Sequence, residues 1–420
     1  MIQKIDKKAV QDAVQMAYDR CKNETGGKNA DYIPYLADVP SNLFGIAACL
    51  PDGDVVAVGD TDYKFGIESV SKVPTAILAM NQYGGQEVLG KIGADATGLP
   101  FNSIMAILLE NDHPSTPLVN AGAISACSMI KPVGDSDGKW KAIVSFIADL
   151  AGSDVAVIDE LYKSETATNF NNKSIAWLLK NYNRIYDDPD MALDIYTRQC
   201  SIGVTARQLA TMAATIANSG VNPVTGKAVF KPELTPKIAS MMATVGFYEH
   251  TGDWLFTTGL PAKTGVGGGI MGVVPGVMGV AAFAPPLDGA GNSVKAQKAL
   301  AFIAGHLNLN VFGTTRCVMA EKEPVNSPAG RPADEKGRIL RGMRPFSVSG
   351  QGVKSGSGRR PADSPTYRYR PRHRLRRVPR LRRRRATPGR RTAWICRSRP
   401  RPRIWRTRLP HRGANRTKPP

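Results

Sequence analysis

After Asp363 the chain has no acidic residue, and from Thr314 to Pro420 it carries 32 Lys and Arg against 5 Asp and Glu, a net charge of +27. Like charges at that density repel, and too little apolar surface lies among them to offset the entropy of ordering the chain. Residues 1–313 are a different object, with 24 basic and 30 acidic residues and a net charge of −6. A core has to be built there, and the overall +21 describes neither part. The Pro, Gly and Arg-rich segment 314–420 has three readings. Clustered guanidinium groups, with Trp394 and Trp405 for stacking, would suit an arm that binds nucleic acid or an acidic membrane. The same composition suits a disordered tail, and the excess of Arg over Lys is what a GC-rich gene read out of frame would give. Function is therefore sought in residues 1–313, read as one domain.

With 420 residues and 42% apolar content the chain can bury at least one large core. Cys21, Cys49, Cys127, Cys200, Cys317 and Cys396 form no C-x-x-C pair and no rhythm, so neither a zinc site nor a disulfide framework is signalled, and a reducing cytoplasm is the expected location. The N-terminal stretch has helical apolar spacing at Ile5, Ala9, Val10, Ala13, Val14 and Ala17, with no export signal. Two apolar runs then flank Pro51-Asp52-Gly53, the pattern of a hairpin. Helical stretches such as "AGAISACSMI", "WKAIVSFIADLAG" and "VTARQLATMAATIANSG" fill the middle, and short strands and a terminal helix follow from Leu260. The order predicts an α/β (α+β) fold: an antiparallel sheet whose two ends meet, flanked by helices, with an all-helical lobe inserted over roughly 75–240.

The glycine run in "PAKTGVGGGIMGVVPG" could be a phosphate cradle, a membrane span or the wall of a site. Gly267, Gly269 and Gly272 match G-x-G-x-x-G, but a dinucleotide loop opens a helix, and here Pro275 and the strand-like "GVMGVAAFA" follow. The uncharged stretch Thr264–Leu287 is long enough to cross a bilayer, yet its glycines and its Pro285-Pro286 pair suit buried strands and a turn. The third reading needs a partner for Lys263-Thr264-Gly265, and "SVSK" supplies it. Ser69 and Lys72 lie three apart at a helix start, which puts hydroxyl and amine on one face. A buried, neutral lysine can take the serine proton and make a nucleophile. The spacing alone is weak, since Ser128/Lys131 and Ser136/Lys139 share it. Joined to a later Lys-Thr-Gly strand, it is the pairing of β-lactamases and penicillin-binding proteins, in which such a strand lines the pocket and offers backbone amides.

Eight motifs in order, "YIPYLA", "SVSK", "LVNAGAI", "SETATNFNN", "YTRQCSIGVTARQLATMAATIANSGVNP", "GFYEHTG", "LPAKTGVGGGI" and "PPLDGAGNS", closely resemble the serine-dependent bacterial glutaminases over roughly Gly26 to Phe312. The resemblance implies a β-lactamase-like fold, hydrolysis of L-glutamine to L-glutamate and ammonia, no metal or organic cofactor, and a homo-oligomer, dimer or tetramer. Carried onto matching positions, it implies Ser69 as nucleophile, Lys72 as its base, and Tyr248 as the proton shuttle to departing ammonia. It implies the amides of Ser69 and Val266 as oxyanion hole, with the neighbouring glycines letting the strand approach. Asn120, Glu165, Asn172 and Tyr196 would hold the amino-acid head group, Glu165 facing the ammonium, and Tyr32 would wall the serine. Each residue also has an ordinary reading: the tyrosines as core, the asparagines as caps, Glu165 as a helix-start carboxylate.

Five positions depart from the family pattern. Pro74 stands one turn beyond Ser69 and is expected to kink the nucleophile's helix, because it cannot donate to the Val70 carbonyl. Thr116 replaces Asn, Asn171 replaces Arg, Gln208 replaces Asp and Thr264 replaces Ser, and the second and third of these together are expected to remove an ion pair under the pocket. The reading is a cytoplasmic glutaminase without a membrane segment. Its rivals are another Ser/Lys acyl-enzyme hydrolase, such as a β-lactamase, transpeptidase or esterase, and an inert homologue binding nucleic acid through the Arg-rich segment.

Overall fold

The computed structural model describes residues 5–110 and 112–313. The segment 314–420, with the readings of it as a disordered tail, a nucleic-acid-binding arm or an out-of-frame product, lies outside the described residues.

The N-terminal periodicity forms helix α1 (Lys7–Cys21), started by the Asp6 carboxylate, which accepts from the N–H groups of Lys8 and Ala9. Its buried stripe is Val10, Ala13, Val14, Ala17 and Cys21. After a short α2 (Pro34–Ala37), the hairpin forms as β1 (Gly45–Cys49) and β2 (Val55–Gly59) around a turn in which Gly53 takes φ +92°. A two-residue strand β3 (Phe65–Gly66) leads into a 3-10 turn, Glu68–Ser71, and directly into α3 (Lys72–Tyr83). The lobe continues through α4 (Gly85–Lys91), α5 (Ile104–Leu109), α6 (Asn120–Met129), α7 (Ser136–Ala151), α8 (Asp159–Thr168), α9 (Phe170–Asn181), α10 (Pro189–Cys200), α11 (Ala206–Ala217) and α12 (Thr235–Val245). Two short strands, β4 (Ala156–Val157) and β5 (Ile202–Val204), interrupt this otherwise helical run and pair with β3 in the order β3-β5-β4. A 3-10 turn at Tyr248–His250 and α13 (Thr251–Thr258) return the chain to β6 (Ala262–Thr264), β7 (Gly269–Val274), β8 (Met278–Phe283) and α14 (Val294–His306).

The main sheet runs β2-β1-β8-β7-β6, antiparallel throughout, so the last strand lies beside the first, with Ala47 opposite Ala281. Alternate side chains enter two cores. Ile46, Ala48, Ile270, Val280 and Ala282 face α1 and α14, whereas Ala47, Cys49, Met271, Ala281 and Phe283 face α11 and the lobe. Burial on both faces explains the unbroken apolar run of β7 and β8 without a membrane. Gly279 is required there, because a Cβ would come 2.2 Å from the Ala214 nitrogen of α11.

Pro74 does not break the helix it sits in. Because α3 begins at Lys72, the proline lies in the first turn, where backbone N–H groups have no helical partner to lose, and α3 continues to Tyr83. The helix runs unbroken through Pro74 for that reason.

Candidate active site

The sheet edge and the lobe meet at the turn after β3. Ile67 donates its N–H to Ile202 O at 2.8 Å, and the Ser71 hydroxyl donates to Glu68 O at 2.6 Å, which locks the turn that carries Ser69. Glu68 itself holds φ +50°, a left-handed backbone that a non-glycine residue adopts at a cost. One turn on, Lys72 Nζ donates to Ser69 Oγ at 2.5 Å, with Lys72 only 1% exposed and its amine 5.3 Å from the centre of the Tyr196 ring. Burial pushes the Lys72 pKa down, against the opposing pull of Cys200, Glu68 and Glu165. Lys72 is thus withdrawn from solvent, and no side chain caps α3, so the Ser69 hydroxyl is not spent on the helix end.

Across from Ser69, the turn from β6 to β7 presses its backbone onto the turn after β3. A Cβ on Gly265 would lie 2.9 Å from Ile67 O, and one on Gly267 would lie 2.3 Å from Gly66 O. Val266 stands between these two glycines, and its N–H makes no hydrogen bond among the described residues. The glycines are thus where close approach demands them. Lys263 of β6 is fully buried, donates to Gly246 O and Thr264 O, and places its amine 4.6 Å from the centre of the Tyr248 ring. Burial and then the neighbouring Lys72 push the Lys263 pKa well down. Tyr248, at φ +53°, is buried and its hydroxyl lacks a hydrogen-bond partner of good geometry. Burial raises its pKa strongly, and the facing Ser69 hydroxyl works the other way.

The lobe supplies the opposite wall. Tyr196 of α10 donates its hydroxyl to Asn120 Oδ1 at 3.1 Å, and Asn120 at the start of α6 donates to Asn172 Oδ1 of α9 at 2.8 Å. Glu165 of α8 is buried, and its Oε1 has no partner. Tyr32 exposes 57% of its surface, so it forms a rim and not a buried wall; burial of its hydroxyl end, then Glu68 and Glu165, push its pKa up. Of the nine expected residues, eight are buried or half-buried in this region, and Tyr32 lies at its edge.

Sequence reading missed Glu68, 3% exposed and facing Glu165, although an acid in the apolar run "GIESV" was a signal. It also missed Phe101, whose ring lies 4.4 Å from that of Tyr248 and could only be found from the fold. The expected loss of an ion pair takes another form. Asn171 donates to Asn102 O at 2.9 Å, while Gln208 closes a capping box with Thr205 and donates to Ser153 Oγ and Asp154 O. Each replacement has found its own neutral partners. Thr116 is fully buried, with its carbonyl filling the space beside Gly122, and the Thr264 hydroxyl is buried without a partner. The third Ser/Lys spacing is structural: Lys139 is buried, donating to Ser128 O at 2.9 Å and pairing with Asp187 at 2.7 Å.

Residues 27–312 match the family model described as Glutaminase. The chain belongs to the glutaminase family. It is 69% identical over 321 residues to a glutaminase of Bacteroides fragilis, covering 76% of this chain and all of that one. To a glutaminase of Bordetella avium it is 53% identical, over 74% of this chain and 99% of the other. Among solved structures, a probable glutaminase, ybaS, superimposes with a TM-score of 0.72 at 49% identity, over 73% of this chain and 99% of that one. The Bacillus subtilis glutaminase YbgJ, solved as a covalent complex with 5-oxo-L-norleucine, superimposes with a TM-score of 0.64 at 28% identity, over 72% and 98% of the two chains. The fold is the β-lactamase-like fold of these glutaminases. The activity of this glutaminase is the hydrolysis of L-glutamine to L-glutamate and ammonia. Among the described residues no helix is long and apolar enough to cross a membrane, and no group of three or more His, Cys, Asp or Glu could hold a metal ion.

Proposed function

We propose that this glutaminase works through a γ-glutamyl ester on Ser69. The neutral amine of Lys72 takes the hydroxyl proton as Ser69 Oγ attacks the side-chain amide carbon of glutamine. The N–H groups of Ser69 and Val266 hold the resulting oxyanion, one such donor being worth about 2.7–4 kcal/mol. Collapse breaks the C–N bond, and the nitrogen leaves as ammonia with a proton handed over by Tyr248, which recovers one from Lys72. Water then attacks the ester with the same base, and glutamate departs. Glu165 receives the substrate ammonium, while Asn120, Asn172 and Tyr196 offer neutral groups to its carboxylate, and Tyr32 covers the entrance.

The observation that carries this reading is the buried contact between Lys72 Nζ and Ser69 Oγ. Desolvation favours the uncharged amine, the form able to accept a proton. The test is ammonia release by Ser69→Ala beside the wild type, with mass spectrometry after treatment with 6-diazo-5-oxo-L-norleucine, the reagent that reacts with the Bacillus subtilis glutaminase. The variant is expected to stay folded, lose turnover and take no adduct. Turnover without Ser69 removes the nucleophile assignment.

Two further expectations concern setting. Cys21, Cys49, Cys127 and Cys200 are free and buried, in keeping with a reducing cytoplasm. Phe170 and Trp177, one above the other on α9, are exposed and offer apolar surface to a homo-oligomer, dimer or tetramer, which light scattering would resolve.

A further inference from the structure

The head-group wall holds two carboxyl groups where one substrate ammonium calls for one. Glu68 and Glu165 are 3% and 8% exposed, and Glu68 Oε1 lines Gly66 together with Leu161, which lies one turn ahead of Glu165 on α8. Each acid leaves its Oε1 without a partner. A hydrogen bond between two carboxyl groups needs a proton, since two carboxylates have four acceptors and no donor between them. The Glu68 side chain is seated in a slot cleared by glycines: a Cβ on Gly66 would lie 3.2 Å from its Oε1, and one on Gly267 would lie 3.2 Å from its Cγ. The glycine run therefore makes room for this acid as well as for the Val266 backbone.

Resting on the Ser69–Lys72 reading above, we propose that Glu68 is a positioning residue that holds a proton against Glu165, so that the pair presents a single negative charge to the substrate ammonium and to Lys72. Burial and the neighbouring Glu165 push the Glu68 pKa well up, while Lys72 pulls against them. The groups around the pair are Lys72 on α3, Tyr196 and Cys200 on α10, Tyr248 on its 3-10 turn and Tyr32 ahead of α2. Burial holds the three phenols and the thiol neutral, so Lys72 is the one group among these that can carry a positive charge. Both acids, when ionised, raise the Lys72 pKa. A proton kept on Glu68 removes one of those two pulls and leaves the amine free to be neutral. As pH rises and Glu68 ionises, the second charge draws a proton back onto Lys72, and catalysis falls on the alkaline side.

The experiment compares kcat, KM and their pH profiles for Glu68→Ala and Glu68→Gln in the full chain. Alanine leaves Glu165 without its donor, and KM is expected to rise about tenfold or more, the scale of one hydrogen bond to a charged group. Glutamine donates the same hydrogen bond without a titrating proton, so it is expected to rescue KM. It should also extend the alkaline limb of the kcat profile and leave the acid limb in place. A difference infrared spectrum, wild type minus Glu68→Gln at pH 7, should contain the carbonyl stretch of a protonated carboxyl. If glutamine raises KM as alanine does, or shifts the acid limb to lower pH, or if that band is missing, Glu68 is ionised and the proposal is overturned. The spectrum needs no turnover, and Ser69→Ala in the same series reports separately on the nucleophile.

Discussion

Gly267→Ala tests whether the Val266 amide takes part in the reaction. The added Cβ would stand 2.3 Å from Gly66 O and 3.2 Å from Glu68 Cγ, against an ordinary carbon contact of about 3.5–4.0 Å. Gly267 has no positive φ, so the strain is one of space and not of backbone conformation. Gly66 is held in the ladder to Gly203, and the atom at the closest approach is its backbone oxygen, which cannot turn aside as a side chain can. Relief must come from the turn closed by the Gly265 N–H to Gly269 O and the Gly268 N–H to Gly265 O, which moves by about 1 Å and carries Val266 with it. An oxyanion donor displaced that far is lost, so kcat should fall by about 10²–10³. The other head-group residues lie on the lobe, so any rise in KM should come through Glu68, whose Cγ the new Cβ approaches. Overpacking should lower stability by about 1–3 kcal/mol. Ammonia release gives kcat and KM, and thermal unfolding gives the stability. Gly289→Ala, where no heavy atom lies within 4 Å, is the control for both. A lowered melting temperature with kcat within about threefold of wild type would refute a donor role for Val266.

Lys72→Met should lower kcat by about 10²–10⁴, the usual worth of a general base. Wild-type kcat/KM should rise as pH rises through the depressed Lys72 pKa, and the variant should lose that limb. Below the ordinary lysine value of 10.5 the unfolded chain binds the proton that the folded chain has released, so the stability contributed by Lys72 grows with pH across that window. The melting temperature of Lys72→Met should accordingly exceed wild type most at the acid end of it. Asp187→Ala strands the buried Lys139 amine and should cost about 3–5 kcal/mol in denaturant titrations, with kcat of the folded protein unchanged. Burial alone would raise the Asp187 pKa, but the Gly134 N–H and Lys139 overcome it, so this stability is present above the ordinary aspartate value of 3.8 and is lost as pH falls through the folded value. A chain ending at Gly313 should retain wild-type turnover in the ammonia assay, since the Bacteroides fragilis relative is matched over its whole length by 76% of this chain.

The periodic elements were legible because burial imposes them. The stripe of α1, the hairpin at Gly53 and the unbroken apolar strands β7 and β8 each follow from one or two faces meeting a core. The short strands β4 and β5 were not legible, since two or three residues show no period and pair only because β3 lies alongside. Ser69, Lys72 and the glycines around Val266 could be read as chemistry from combination, the amine being one helical turn from the hydroxyl. Pro74 was misjudged because its effect depends on where α3 starts, and a 3-10 turn ahead of a helix leaves no mark in the sequence. Glu68 was passed over since a carboxyl beside a nucleophile gains meaning only when Glu165, 97 positions later, is folded against it.

The pairing of β1 with β8 has a consequence for how the protein is made. The first strand waits on the ribosome for a neighbour that begins 229 residues after it ends, and the backbone that closes the pocket comes from that same late segment. A nascent chain can fold its helices early, since their contacts are local, but it remains catalytically silent until the last strands emerge. Ammonia production thus begins only with a finished domain.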